Sequence, residues 1–162
     1  MDPPPLTPLA AAVLHVGEPE RALEVECGEG EGALFLAREF PRARVRGVDS
    51  SERAVARAGD RVGLDPEGRI AFKQGSPSSL PFPEDHFDLV VLIDAAPNPA
   101  ETARVLRPGG FLILASTSPR RDPLALRRRL LNRRLSHHGI EHRSTQPAGG
   151  GEFSLYRLEE PG

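Results

Sequence analysis

Short apolar runs recur along the chain and are separated by stretches with helical periodicity. Residues 22–26, 44–49, 69–73, 87–93 and 111–116 are rich in Val, Leu, Ile and Phe and predict strands. Between them, residues 31–40 predict a helix, and a second, capped by Ser50 or Ser51, runs to about Val62. Residues 98–106 predict a short helix stopped by Pro108-Gly109-Gly110. Ahead of the first strand, Thr7 is expected to cap a helix with Pro8 at its first position, ending at Gly17. After the fifth, Asp122 and Pro123 are expected to open a helix reaching His137. Two more strands, 140–144 and 152–158, are joined by Gly149-Gly150-Gly151. Strands alternating with helices predict an α/β fold: a Rossmann-like, doubly wound, mostly parallel sheet covered on both faces. The glycine-hinged pair places an antiparallel last strand in it.

Length changes little in this picture. The 162 residues are enough for one hydrophobic core, so a single domain over 1–162 is expected. A net charge of −2 gives no general attraction to nucleic acid or to an anionic membrane. Cys27 is the only cysteine, which excludes an internal disulfide and fits a cytoplasmic protein. Met1-Asp-Pro-Pro-Pro lacks a basic leader, and the apolar run at 9–16 is too short to span a bilayer.

The candidate chemistry sits where the first strand meets the first long helix. Gly28, Gly30 and Gly32 form a turn whose backbone can bend sharply and let a ligand approach its N–H groups. Asp49 follows Gly30 by 19 residues, at the tip of the next strand, where a carboxylate can accept both hydroxyls of a ribose. Gly28-x-Gly30-x-x-Ala33 also fits a dinucleotide fingerprint, so a nicotinamide module is one reading. No second catalytic domain and no proton-transfer residue beside the turn accompany it.

Four segments in order resemble the class I S-adenosylmethionine-dependent methyltransferases. They are Leu23-Glu-Val-Glu-Cys-Gly-Glu-Gly30, Val45-Arg-Gly-Val-Asp-Ser-Ser51, Leu80-Pro-Phe-Pro-Glu-Asp-His-Phe-Asp-Leu-Val90 and Arg104-Val-Leu-Arg-Pro-Gly-Gly110. The last two resemble the small-molecule branch. The resemblance implies the class I methyltransferase fold and S-adenosyl-L-methionine as cofactor. It makes Asp49 the ribose acid and Glu24 the acid at the cofactor's amino end. Glu26, Cys27, Gly28, Gly30, Ser50, Gly75 and Ser76 are then the remaining cofactor contacts. The implied chemistry is direct in-line methyl transfer to an unidentified acceptor, carried by proximity and orientation without a metal.

Three departures from the family pattern bear on function. Glu26 stands where the motif has Gly. It is expected to weaken the site by taking ligand volume, and a salt bridge to the cofactor is the opposing possibility. Ser76 stands where an Asp usually meets the adenine amino group, a weaker contact by about 1 kcal/mol. The segment after the fourth strand is short and supplies one ionisable group, Asp94, equally a substrate-side group or a turn residue. An open cleft completed by the acceptor, a partner protein or a second subunit is expected. A binding or regulatory module with weak or no catalysis is the alternative function. The Asn/Asp-Pro-Pro-aromatic motif of amino-directed nucleic-acid enzymes is missing, so a small or external acceptor is expected rather than nucleic acid.

Simpler roles are expected elsewhere. Cys27 is a small packing residue, Asp88 and Arg104 are structural, and Glu29 and Glu31 face solvent at a helix start. His137, His138 and His142 are solvated histidines rather than metal ligands. Residues 119–143 hold eight arginines against Asp122 and Glu141, a net of +6 in a chain of −2. A solvated face with its arginines laid over apolar surface is expected there; a patch for an acidic substrate or RNA is the sharper reading.

Overall fold

The computed structural model describes residues 6–118 and 128–160. In chain order the elements are α1 (Thr7–Ala12), a 3-10 turn (Val13–His15), β1 (Arg21–Val25), α2 (Glu31–Glu39), β2 (Arg44–Asp49) and α3 (Glu52–Arg61). They continue with β3 (Ile70–Gln74), β4 (Phe87–Ile93), α4 (Pro99–Val105), β5 (Leu106–Ser116), α5 (Arg128–His137), β6 (Ile140–Ala148) and β7 (Gly151–Leu158). One seven-stranded sheet takes the order β3-β2-β1-β4-β5-β7-β6. Pairs among β1 to β5 are parallel, and β7 runs antiparallel between β5 and β6. This is the doubly wound, mostly parallel sheet with an antiparallel last strand that the alternation predicts.

Successive strand residues point to opposite faces, and that period builds two cores. Ala22, Leu89, Val91, Ile113 and Phe153 pack with Leu9, Ala12, Ala33 and Leu36 of α1 and α2. Leu23, Val25, Val90, Leu92, Leu112 and Tyr156 pack on the other face with Val105, Leu131 and Leu135 of α4 and α5. Each fully buried Leu of this set contributes about 1.5–3 kcal/mol.

Several boundaries differ from expectation. Thr7 does not cap α1: it is the first helical residue, Leu6 precedes it with no side-chain cap, and the helix gives way to the 3-10 turn before Gly17. Ser51, not Ser50, caps α3, its hydroxyl accepting Ala54 N–H at 3.1 Å. β5 begins at Leu106 rather than Phe111, because Leu106 pairs with Phe87 before the register shifts and Phe111 pairs with Leu89. Gly109, at φ 84, lets the intervening chain bulge out and return. β6 extends to Ala148, since the turn needs only Gly149 and Gly150, and Gly151 already pairs with Ala148. The expected helix start at Asp122 and Pro123, with Arg120, Arg121, Leu124, Leu126 and Arg127, lies outside the described residues.

Asp88 and Arg104 hold the lower edge of the sheet together. Asp88 Oδ2 accepts Glu20 N–H and Arg21 N–H at 2.7 and 3.0 Å, and Oδ1 pairs with Arg107 at 3.1 Å. Arg104 pairs with Glu101 and donates to the carbonyls of Leu80 and Phe82. On α5, Leu131 and Leu135 are buried while Arg129, Arg133 and Arg134 are exposed, the solvated-face arrangement. Among the described residues no helix is long and apolar enough to cross a membrane.

Candidate functional site

The strand order reverses at β1, with β2 on one side and β4 on the other. The carboxyl ends of those strands therefore open a crevice, the usual ligand position in such sheets. The glycine turn fills the gap between β1 and α2. Cys27 N–H bonds Val48 O at 2.9 Å, carrying the β1–β2 ladder one step past the strand. Gly30 N–H then bonds Cys27 O at 2.9 Å and closes the turn. Gly30 takes φ 88, and a Cβ there would stand 2.9 Å from the Phe72 ring. It shapes the turn from beneath and does not line the crevice.

Asp49 ties the turn to the second strand. Its Oδ2 accepts Gly28 N–H and its Oδ1 accepts Ser51 N–H, both at 2.9 Å. Each oxygen keeps room for one further donor, so the carboxylate is pre-aimed without being used up. A Cβ on Gly28 would meet nothing within 4 Å, which leaves this face of the turn open to a ligand.

Two hollows open beside the neighbours of Asp49, one at Gly28 and one at Ser50. On the β1 and β4 side lies a cleft of about 450 Å³ lined by Glu24, Glu26, Cys27, Gly28, Asp94 and Thr117, with Leu6, Glu29, Glu31, Gly32 and Ile93. On the β2 and β3 side lies a hollow of about 540 Å³ lined by Ser50, Gln74, Gly75, Ser76, Ser79 and Pro81. Gly75 N–H bonds Asp49 O at 3.0 Å and links the two. Ser76 Oγ lies 3.2 Å from Ser78 Oγ.

Glu24 occupies the face of β1 that α2 covers. It is 3% exposed, and its Oε1 accepts Ala33 N–H at 2.8 Å in the first turn of α2. Its Oε2 has no hydrogen-bond partner among the described residues. Burial above all, and then Glu31 and Asp49, push its carboxyl up to about 8, against the Ala33 hydrogen bond. Glu24 also explains Gly32, since a Cβ there would collide with the carboxylate.

Glu26 sits at φ 60, in the left-handed region that favours glycine. Burial and then the Asp49 charge raise its carboxyl above the ordinary range. The Cys27 thiol is 5% exposed and pushed up to about 12, chiefly by burial and then by Glu24 and Asp49. It is inert packing rather than a nucleophile. Asp94 is left-handed too, at φ 54, and both its oxygens are engaged by Thr117, from N–H at 2.9 Å and Oγ1 at 2.6 Å. It bolts the tip of β4 to the tip of β5 while bordering the cleft.

The cleft also takes in residues that no motif singles out, among them Leu6, Ile93 and Thr117. Glu29 and Glu31 stand about half exposed at the helix start, as expected, and they also line the rim, pairing with Arg57 at 3.3 Å and Arg61 at 4.0 Å. The one available signal for Thr117 was its place just after the fifth strand. Among the described residues no group of three or more His, Cys, Asp or Glu side chains is arranged to hold a metal ion.

Residues 22–110 match a family model described as a methyltransferase domain. The chain belongs to that family. It is 37% identical over 112 residues to a fatty-acid O-methyltransferase of Mycolicibacterium smegmatis, covering 65% of this chain and 40% of that protein. It is 33% identical over 156 residues to a ubiquinone/menaquinone biosynthesis C-methyltransferase of Geobacter sulfurreducens, covering 91% of this chain and 57% of that one. The chain thus spans about 40–57% of the length of these curated relatives. The fold matches a putative methyltransferase of Haloferax volcanii solved with a methyltransferase activator, at TM-score 0.80 and 16% identity over 98% of this chain and 91% of that one. It also matches a SAM-dependent methyltransferase of Aquifex aeolicus, at TM-score 0.78 and 16% identity over 97% and 94%. The family's shared sheet is what these structures have in common with this methyltransferase domain.

Proposed function

We propose that this domain binds S-adenosyl-L-methionine across the tips of β1, β2 and β3 and directs its methyl group to a small-molecule acceptor over β4 and β5. The observation that carries this reading is Asp49. It is a carboxylate held by the glycine turn, with spare acceptor sites, and it stands between Gly28, which lines one hollow, and Ser50, which lines the other. In this assignment Asp49 accepts the ribose hydroxyls. Ser50, Gly75 and Ser76 surround the adenine. Gly28 and Cys27 supply a wall without protruding side chains, and Gly30 sets the turn. Glu24 Oε2 receives the ammonium of the methionine part.

When bound, the cofactor would supply a sulfonium methyl group for the acceptor's electron pair, with the carbon–sulfur pair left on sulfur. The chain's own residues orient and exclude water. Asp94 and Thr117 fix the β4 and β5 tips against each other, so the floor beneath the acceptor does not spread. The acceptor arrives from outside, and the cleft is completed by it, by a partner protein or by a second copy. The relatives' names, a fatty acid and a quinone, support a small acceptor, and the activator-bound neighbour supports a partner. The one buried thiol, Cys27, fits the reducing cytoplasm. A second reading, cofactor binding with little turnover, is favoured by Glu26 and by Ser76, which offers a hydroxyl where a carboxylate is usual.

Parallel calorimetric titrations with S-adenosylmethionine, S-adenosylhomocysteine and NAD test the assignment. The adenosyl ligands are expected to bind and NAD not. Asp49→Ala is expected to lose at least about tenfold in affinity, equivalent to about 1.4 kcal/mol. Unchanged affinity in that variant, or tighter binding of NAD, overturns it.

A further inference from the structure

The cleft beside the glycine turn is lined by five carboxylates, Glu24, Glu26, Glu29, Glu31 and Asp94, and by no cationic side chain among the described residues. Arg57 and Arg61 pair with Glu29 and Glu31 at the rim, where all four side chains are about half exposed and water screens them. Glu24 and Asp94 accept hydrogen bonds from Ala33 and Thr117 only, and Glu26 has no hydrogen bond or ion pair among the described residues. Glu26 and Asp94, with Asp49 nearby, leave their charge to whatever enters the cleft, while burial keeps the Glu24 carboxyl protonated up to about 8 in the empty site.

Resting on the cofactor reading above, we propose that Glu26 determines ligand charge preference: it makes the cleft hold the cationic sulfonium donor more tightly than the neutral thioether left after methyl transfer. The donor carries two positive centres and one carboxylate, a net of +1. Loss of the methyl group leaves sulfur neutral and the molecule with no net charge. The hollow by β2 and β3 is lined by Ser50, Gln74, Gly75, Ser76, Ser79 and Pro81, without a charged side chain, and suits the adenine. The sulfur end therefore falls on the β1 and β4 side, among the carboxylates. Glu24 serves the ammonium, which donor and by-product share, so it cannot tell them apart. Glu26 lies two residues closer to the turn, past the end of β1, and its backbone holds the left-handed conformation that disfavours an L side chain. Its raised carboxyl is relieved by a cation and worsened by a neutral ligand. The volume Glu26 takes weakens both ligands, and its charge compensates only the cationic one. By-product release is the consequence.

The test measures the affinities of S-adenosylmethionine, its amine analogue sinefungin and S-adenosylhomocysteine for the wild type and for Glu26→Gln, which keeps the shape and removes the charge. The wild type is expected to bind both cationic ligands about fivefold more tightly than the neutral one, the scale of a partly exposed ion pair. In Glu26→Gln the three affinities are expected to fall within about twofold of each other. A merely structural role would weaken all three together and leave the ratio unmoved. Raising NaCl from about 0.05 to about 0.5 M is expected to narrow the ratio in the wild type itself, which makes the test independent of the variant. Adenosyl ligands that bind both proteins with the same ratio overturn this inference alone. Failure of all three to bind overturns the cofactor reading beneath it.

Discussion

Glu24 illustrates how one inward position sets local chemistry. Its ordinary pKa of 4.5 rises to about 8 because β1 carries it under α2, where little besides Ala33 N–H stabilises its charge. Below about 4.5 the carboxyl is protonated whether the chain is folded or not. Between about 4.5 and 8 the unfolded chain has released the proton and the folded one has kept it, so this group's contribution to stability falls as pH rises and levels off above 8. Glu24→Gln removes that dependence. Urea unfolding at several pH values is expected to show the variant gaining on the wild type by about 1–3 kcal/mol between about pH 5.5 and 8. A constant difference across that range contradicts the assignment. That Gly28 and Asp49 stand at neighbouring strand tips was legible at this scale because their spacing is local to one crossover. The protonation of Glu24 was not, because it depends on what covers β1.

Among elements, β2 shows how closely the sheet and its cover fit. Gly47 is paired with Phe72 of β3 and with Glu24 of β1. A Cβ at Gly47 would lie 2.5 Å from Phe72 Cδ1 and 3.0 Å from Cys27 Sγ. The ring also touches the Gly30 turn, so it cannot retreat without disturbing the cleft wall. Gly47→Ala is expected to cost about 1–3 kcal/mol by overpacking, read as a lower urea midpoint at unchanged slope. A variant as stable as the wild type contradicts this packing. The Gly was visible in the sequence only as a small residue in a strand. Likewise the Pro108-Gly109-Gly110 run read as a break before β5, whereas it is an irregular bulge within that strand.

For the whole molecule, charge and topology divide the work. The acidic cleft opens at the strand tips, while the exposed arginines of α5 lie over the face covered by α4 and α5. Far below the cleft, Asp88 joins the start of β1, the start of β4 and Arg107 of β5. Asp88→Ala leaves two backbone N–H groups and a guanidinium without this partner. It is expected to lower stability by about 1–3 kcal/mol while adenosyl-ligand affinity changes less than about twofold. Loss of binding without loss of stability would contradict this division between scaffold and site.

The elements, their alternation, the glycine turn and the acid that follows it are legible in the chain before it folds. Those properties follow from side-chain period, backbone freedom and short spacings along the chain. Four motifs in order carried the family assignment as well. The place of β7 between β5 and β6, and the grip of Thr117 on both oxygens of Asp94, arise only when distant segments pack. So does the gathering of five carboxylates in one cleft. Strand neighbours are chosen by packing between distant segments, and a carboxyl's charge is set by the water it loses on burial. Neither quantity is written in any single stretch of residues.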